Sequence, residues 1–387
     1  MAEIALAVLL LVGAGLTARS LQRLLSVELG FTTTRLLTFK TNLTQRAYPD
    51  STRANHFYDR LTERIQSLPG VTAVGSVSHL PLSGESQSVS ATLATGSVGS
   101  VANPSSHNVG WRIARTGYFE TMGLSLLSGR TFNEADRPGS IPVTVIDEEL
   151  ARRLWPTAAA ALGQQIRFTG SSGTETRTVV GIVGTVKHFG PRADSLPDAY
   201  VPQTQYYQRG MFTVVKTTSD ATQLVSAVRS AIAEVDPSVP MYFTETMAHR
   251  YDTAIALPRF TAGLIGAFSS LALVLAGVGI FGVTAYSVSQ RSREFGIRFS
   301  LGAQRSHVAG LVLGRVGRLA LVGGMLGSLA AYGVAEGMTS ILFGVEPADP
   351  LSLAIAAGVT GLAAVLASVG PLVRALRVNP VEALRSE

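Results

Sequence analysis

The side chains able to do chemistry are few and far apart. The histidines are His56, His79, His107, His188, His249 and His307, and they are too scattered for local metal-ligand spacing. Cysteine is absent, which removes disulfides, thiolate metal sites and cysteine nucleophiles without fixing a compartment. Acidic neighbours such as Glu148 and Glu149 suit a solvated helix face better than an acid–base pair. No G-x-x-x-x-G-K-[ST], H-E-x-x-H or G-x-S-x-G occurs in these residues. The sequence therefore offers no catalytic residue, no metal ligand and no cofactor-binding residue. What it does offer is binding chemistry, concentrated in residues 290–305.

That segment carries Arg291, Arg293, Glu294, Phe295, Ile297, Arg298, Phe299, Leu301 and Gly302. Taken as a helix, it sets Phe295 beside Phe299 and Ile297 beside Leu301, which we read as one apolar stripe. Arg291, Arg298 and Arg305 recur at sevenfold spacing and would share a side, Glu294 can pair with Arg298, and Gly302 is a natural stop. A short helix of this kind, tied at both ends to apolar spans, should lie along a membrane surface. It can dock on a partner protein through aromatic and arginine side chains. The alternative is a plain basic loop whose arginines fix topology and touch lipid headgroups.

These residues need spans to position them. The chain has 387 residues, only 15% of them charged, and a mean hydropathy of +0.29. That balance is too apolar for an ordinary soluble protein and too polar for one made wholly of spans. The net charge of +6 does not argue for nucleic acid, because arginines flanking spans explain much of it. An apolar run over 4–16 is short for a span, but the helix can continue through Leu21, Leu24 and Leu25. A signal peptide fits it less well, since Glu3 is the only charge before it. Further spans are expected over 260–286, 308–334 and 351–373, with Arg315 and Arg318 of the third snorkelling to an interface. Gly310 with Gly314, and Gly323 with Gly327, permit close helix approach, either at a dimer seam or inside one four-helix unit.

Between the first and second spans lies a soluble domain, 27–256. Strands are expected at 36–43 and 71–77, around a helix over 51–68 whose Phe57, Leu61, Ile65 and Leu68 share a face. The same order returns with a strand over 212–217, a helix over 221–235 and a strand over 239–243. Two β-α-β units separated by a long stretch predict a ferredoxin-like subdomain carrying an inserted subdomain over about 79–210. The insertion opens with a Ser/Gly-rich stretch, 83–107, read as an exposed mobile loop. It continues with a buried strand over 143–146, a helix over 148–155 and a strand over 179–186. The fold class is membrane α-helical plus α+β. Its parts are a first transmembrane helix and stalk (1–26), the extracytoplasmic domain (27–256), and a three-span part with a cytoplasmic tail (257–387).

Three groups of residues carry a family resemblance. They are the 290–305 segment; the series Tyr118-Phe119-Glu120-Thr121-Met122-Gly123, Gly129-Arg130-Thr131-Phe132, Glu134-Ala135-Asp136 and Leu150-Ala151-Arg152-Arg153-Leu154-Trp155-Pro156; and the ending Val378-Asn379-Pro380-Val381-Glu382-Ala383-Leu384-Arg385-Ser386-Glu387. Together they resemble the MacB/FtsX-type ABC transporter permeases, with Asn379 where the family usually has Asp. The resemblance is strongest to the C-terminal half of a duplicated MacB-like permease of the acidobacterial orphan type. It implies an inner-membrane protein with its large domain in the periplasm. The implied partners are an ABC ATPase subunit that binds ATP, a second permease chain or fused first half, a periplasmic adaptor and membrane lipid, with no nucleic acid. The 290–305 segment would be the ATPase-coupling element. Export or mechanical transmission is the implied role, and an FtsX-like regulator of a periplasmic partner is the alternative. A third reading is a membrane sensor with no ATPase. Family members usually carry a cytoplasmic segment before the first span, so the chain is expected to be a fragment or second half.

The connection after the third span holds Glu336, Glu346 and Asp349 and no basic residue, whereas 290–305 and the tail are arginine-rich. The positive-inside rule puts the basic ends in the cytoplasm, although Arg19 and Arg23 run against it. Cysteines introduced at Ser97 and Ser292 test this in a chain that has none. An impermeant thiol reagent applied to cells permeable only at the outer membrane should label the first and spare the second; the reverse would overturn the assignment.

Overall fold

The computed structural model describes residues 1–94, 106–171, 173–194, 196–301, 304–337, 342–345 and 349–377. The helices are α1 (Ala2–Leu25), α2 (Ser51–Gln66), α3 (Tyr118–Met122), α4 (Glu148–Leu154), α5 (Val225–Val235), α6 (Met247–Ala254), α7 (Ala256–Gln290), α8 (Ser292–Ser300), α9 (Arg305–Gly337) and α10 (Pro350–Leu376). The strands are β1 (Leu36–Asn42), β2 (Val71–Val77), β3 (Ser88–Leu93), β4 (His107–Ala114), β5 (Leu126–Gly129), β6 (Val143–Asp147), β7 (Gln165–Gly170), β8 (Gly173–Val183), β9 (Asp198–Pro202), β10 (Gly210–Thr217) and β11 (Met241–Thr246). They form two compact units, one of residues 1–26 and 256–387, the other of 27–255.

In the soluble unit, β11, β1, β10 and β2 lie side by side in that order, and every neighbouring pair is antiparallel. With α2 after β1 and α5 after β10, this is the ferredoxin-like arrangement. The helices form for local reasons. Asp50 caps α2 by accepting from the Arg53 N–H at 2.9 Å, and Phe57, Tyr58, Leu61 and Ile65 of α2 turn to the sheet. Val228, Ala231 and Ile232 of α5 join the same core. The helix expected over 221–235 begins as a tight turn, because Asp220 caps Thr222 there, and becomes α-helical only from Val225.

Residues between β2 and β10 form a second lobe. Its strands close on themselves, in the order β4-β3-β7-β8-β6-β9 and back to β4. All six strands contribute to one core, which includes Trp111, Phe168, Ile166, Val179, Ile146 and Val201 together with Trp155 after α4. The stretch read as an exposed loop from residue 83 contains β3: Ala91 and Leu93 point inward while serines and threonine alternate with them. Its composition hid a period of two; residues 95–105 of that stretch lie outside the described residues. The strand expected over 179–186 starts earlier, at Gly173. Its polar first half alternates Thr, Glu and Arg and pairs with β7 as a hairpin. The family-like series performs packing work. Tyr118, Phe119, Met122 and Phe132 share a core, and Arg130 grips Asp136 through two bonds of 2.7 and 2.8 Å. Gly117 and Gly123 bracket α3 with φ of 87° and 71°, and a Cβ on Gly117 would lie 2.8 Å from the Val74 carbonyl oxygen.

One polar cluster is sealed in this unit. Arg112 of β4 and Asp198 of β9 are an ion pair at 3.2 Å, with side chains 0% and 1% exposed. The neighbouring strands leave room for the pair only because residue 110 is glycine: a Cβ there would lie 2.1 Å from Asp198 Oδ1. Asp147, which caps α4 through the Leu150 N–H at 2.8 Å, is buried beside Asp198. Burial pushes Asp198 up to about 7 against the pull of Arg112, and burial plus the charge of Asp198 raises Asp147. Burial, then Arg112, pushes His79 down to about 4, and the same causes depress His188.

In the membrane unit α1, α7, α9 and α10 are long and apolar enough to cross a bilayer. At ~1.5 Å per residue, the 35 residues of α7 reach ~50 Å. Their backbone groups are satisfied within each helix, as a lipid environment requires. The glycine pairs part company. Cβ atoms on Gly323 and Gly327 would lie 2.8 Å from Ile4 and 2.5 Å from the Ala5 carbonyl oxygen, so this pair seats α1 on α9. Gly310 and Gly314 face open space. Arg19 pairs with Asp349, which also caps α10 through the Ser352 N–H at 2.8 Å. The arginine that runs against the charge rule is thus neutralised by a residue from the acidic connection.

The buried histidines set a pH dependence. Folded His79 is held neutral down to about 4, whereas an unfolded histidine takes up its proton near 6.5. Acidification from 6.5 to 4 therefore protonates only the unfolded state and removes stability, about 2 kcal/mol after allowance for His79's partial contact with water. The raised carboxylates act with the opposite sign, so a difference between proteins is the clean readout. Both tryptophans, Trp111 and Trp155, lie in the soluble unit, so fluorescence melts report on it alone. His79→Gln should lose less stability than the parent between pH 6.5 and 4; parallel pH curves would refute the assignment.

Candidate functional site

The helix α8 spans only Ser292–Ser300, between the ends of α7 and α9. Arg291 caps it and accepts the Phe295 N–H at 2.9 Å through its carbonyl, and Leu301 closes it by donating to the Ile297 carbonyl at 3.1 Å. Gly302, expected as its stop, lies outside the described residues. The helix therefore ends before Arg305, which is the first residue of α9. The three arginines at sevenfold spacing do not share one helical side: Arg291 is the cap, Arg298 lies within α8, and Arg305 belongs to the next helix.

The single apolar stripe is corrected too. Residues two apart on a helix point about 200° apart, so Phe295 and Phe299 cannot share a face with Ile297 and Leu301. Phe295 is 3% exposed and packs with Val288 of α7, Val308 and Val312 of α9 and Ala375 of α10, with Phe299 beside it. Ile297 is 42% exposed and Leu301 82%. The inward pair fastens α8 to its own spans, and the outward pair is free. Glu294 and Arg298 form the expected pair at 2.7 Å on the helix surface. Arg293 is exposed.

The sequence reading missed Gly296, which is buried beside Phe295. It also missed the Arg112, Asp147, Asp198 and His188 cluster. Of these, only Asp147 carried a local signal, as a cap before the Glu148-Glu149 helix start. The others meet only when the second lobe closes. Among the described residues no group of three or more His, Asp or Glu side chains is placed to hold a metal ion.

Comparison with known proteins bears on this arrangement of spans, outer unit and short connecting helix. The MacB-like periplasmic core domain model matches residues 1–232, and the FtsX-like permease C-terminal model matches 266–380. The chain belongs to the MacB/FtsX-type permeases. The permease is an inner-membrane, multi-pass protein with a large periplasmic domain. It is 27% identical over 281 residues to the macrolide export ATP-binding/permease protein MacB of Agrobacterium fabrum, covering 69% of this chain and 42% of that protein. It is 27% identical, also over 281 residues, to the uncharacterized ABC transporter permease YknZ of Bacillus subtilis, covering 70% and 68%. The permease thus spans well under half the length of the MacB relative. The crystal structure of the periplasmic region of MacB from Actinobacillus actinomycetemcomitans aligns over 60% of this chain and 97% of that one, at 15% identity and a TM-score of 0.39.

The two faces of α8 separate by mutation. Removing the buried Phe295 ring costs about 3 kcal/mol of local packing, whereas Ile297 and Leu301 have little to lose. Trypsin has sites at Arg293 and Arg298 inside this helix. Phe295→Ala should speed cleavage there by at least about tenfold, and Leu301→Ala should leave it unchanged. Equal rates for the two variants would show that Phe295 does not fasten the helix.

Proposed function

We propose that the permease couples ATP hydrolysis on a separate ABC ATPase to export or mechanical transmission across the inner membrane, and that α8 is the coupling element. The observation that supports this is the division of α8 into a fastened face and a free one. Phe295 and Phe299 tie the helix to α7, α9 and α10, so force applied to α8 reaches three spans. Ile297 and Leu301 stay exposed beside Arg293 and the Glu294–Arg298 pair. An apolar pair rimmed by charge fits a groove with acidic edges on a partner protein. ATP belongs to that partner. A second permease chain or a fused first half completes the assembly in this reading, and a periplasmic adaptor is the partner expected if the role is export. The same segment serves an FtsX-like regulator equally well, because both uses begin with motion delivered at α8.

The docking residues in this proposal are Ile297 and Leu301, with Arg293 and Arg298 around them. A photo-crosslinking side chain at Leu301, in membranes of the native host, should capture a protein that carries a P-loop. Introducing Ile297→Asp and Leu301→Asp should remove that product and reduce partner-dependent ATP hydrolysis by about tenfold or more, while trypsin resistance of α8 is kept. Crosslinks to lipid alone, or full activity in the double variant, would sink the coupling role.

A further inference from the structure

Just inside α8 the ends of α7 and α9 diverge and leave a cleft. Its floor is apolar and buried: Val288, Val312 and Val316, with Phe295 closing one end. Its rim toward the membrane exterior is Val283 and Leu311, 52% and 48% exposed. The same end, beside Phe295, is polar. Arg291 and Arg315 both line it, with Thr284 and Ser287, and the Arg315 guanidinium donates to Ser287 Oγ at 3.0 Å. Among the described residues neither guanidinium has a carboxylate partner, in contrast to Arg19 and Arg298.

The level of this cleft in the membrane follows from the helices. Arg315 lies ten residues into α9, ~15 Å from its start. It bonds Ser287, which is within the last turn of α7. The two guanidiniums are therefore near the end of the spans, with Val283 and Leu319 one turn deeper than Ser287 and Arg315. An arginine in a span without a counter-charge is costly, and anionic headgroups are the anions available at that depth. A cleft with two cations and two hydroxyls at one end and an apolar floor at the other has the polarity of a phospholipid.

We propose that this cleft holds a phospholipid with an anionic headgroup, its phosphate on Arg291 and Arg315 and its acyl chain along Val283, Val316 and Leu319. The bound lipid fills the space between α7 and α9 beside Phe295 and so stiffens the helix pair that carries α8. The site rests on the membrane-spanning character of the chain and needs no ATPase.

Native mass spectrometry of the purified full chain, with no ATPase present, tests it. Phosphatidylglycerol and phosphatidylcholine with identical oleoyl chains are offered in turn. The parent should bind phosphatidylglycerol about tenfold more tightly. The double variant Arg291→Gln, Arg315→Gln should lose most of that preference, and Arg23→Gln, at the other end of the spans, should keep it. An unchanged preference in the double variant would overturn the site. Displacement of the lipid by millimolar inorganic phosphate would also overturn it, by showing a plain anion site with no use for the acyl chain. Gel-filtration retention identical to the parent shows that the double variant is folded, and the three side chains changed are surface cations whose loss opens no cavity.

Discussion

The soluble unit depends on one pairing. β1 and β10 meet residue for residue, from Leu36 with Lys216 to Asn42 with Gly210, although the whole second lobe separates them in sequence. Every other element of the ferredoxin-like lobe is placed by that pair: β11 and β2 join its outer edges, and α2 and α5 cover one face. Bringing such distant segments together costs loop-closure entropy, but that cost rises only slowly with loop length. Burial of Leu37, Phe39, Met211 and Val215 on one face, and of Leu36, Phe212 and Val214 on the other, offsets it.

The membrane unit solves a different problem. Its helices need no partner for their backbones, so side chains at a few places decide how they pack. Gly323 and Gly327 let α1 approach α9, Arg19 and Asp349 tie α1 to the start of α10, and Phe295 locks α8 against three spans. The charges at the two ends differ in kind. Arg19 is satisfied by a carboxylate within the unit, whereas among the described residues Arg291, Arg293 and Arg315 have no carboxylate partner.

Much of this was legible in the sequence because it rests on local pattern. The spans announce themselves by length and apolarity, and α2 by Phe57, Leu61 and Ile65 at helical spacing. The split ferredoxin-like order followed from two β-α-β patterns. What stayed hidden was either masked by composition or assembled at long range. Serines concealed the alternation of β3, and the ring closure of the second lobe depends on pairings such as Gly110 with Asp198 that no local signal foretells. In α8 the residue types were informative, but a helical angle alone separates Phe295 from Ile297. The sevenfold arginine spacing misled because the helix stops short of Arg305.

The way the second lobe is attached has a consequence for how such proteins diversify. It leaves the sheet after Val77 and returns before Phe212, and those two residues are direct cross-strand partners. Its entry and exit are thus only about 5 Å apart. A module hung from two adjacent strands can be enlarged, shrunk or exchanged in evolution without redrawing the sheet beneath it. Related chains could then keep one sheet and vary the lobe it carries.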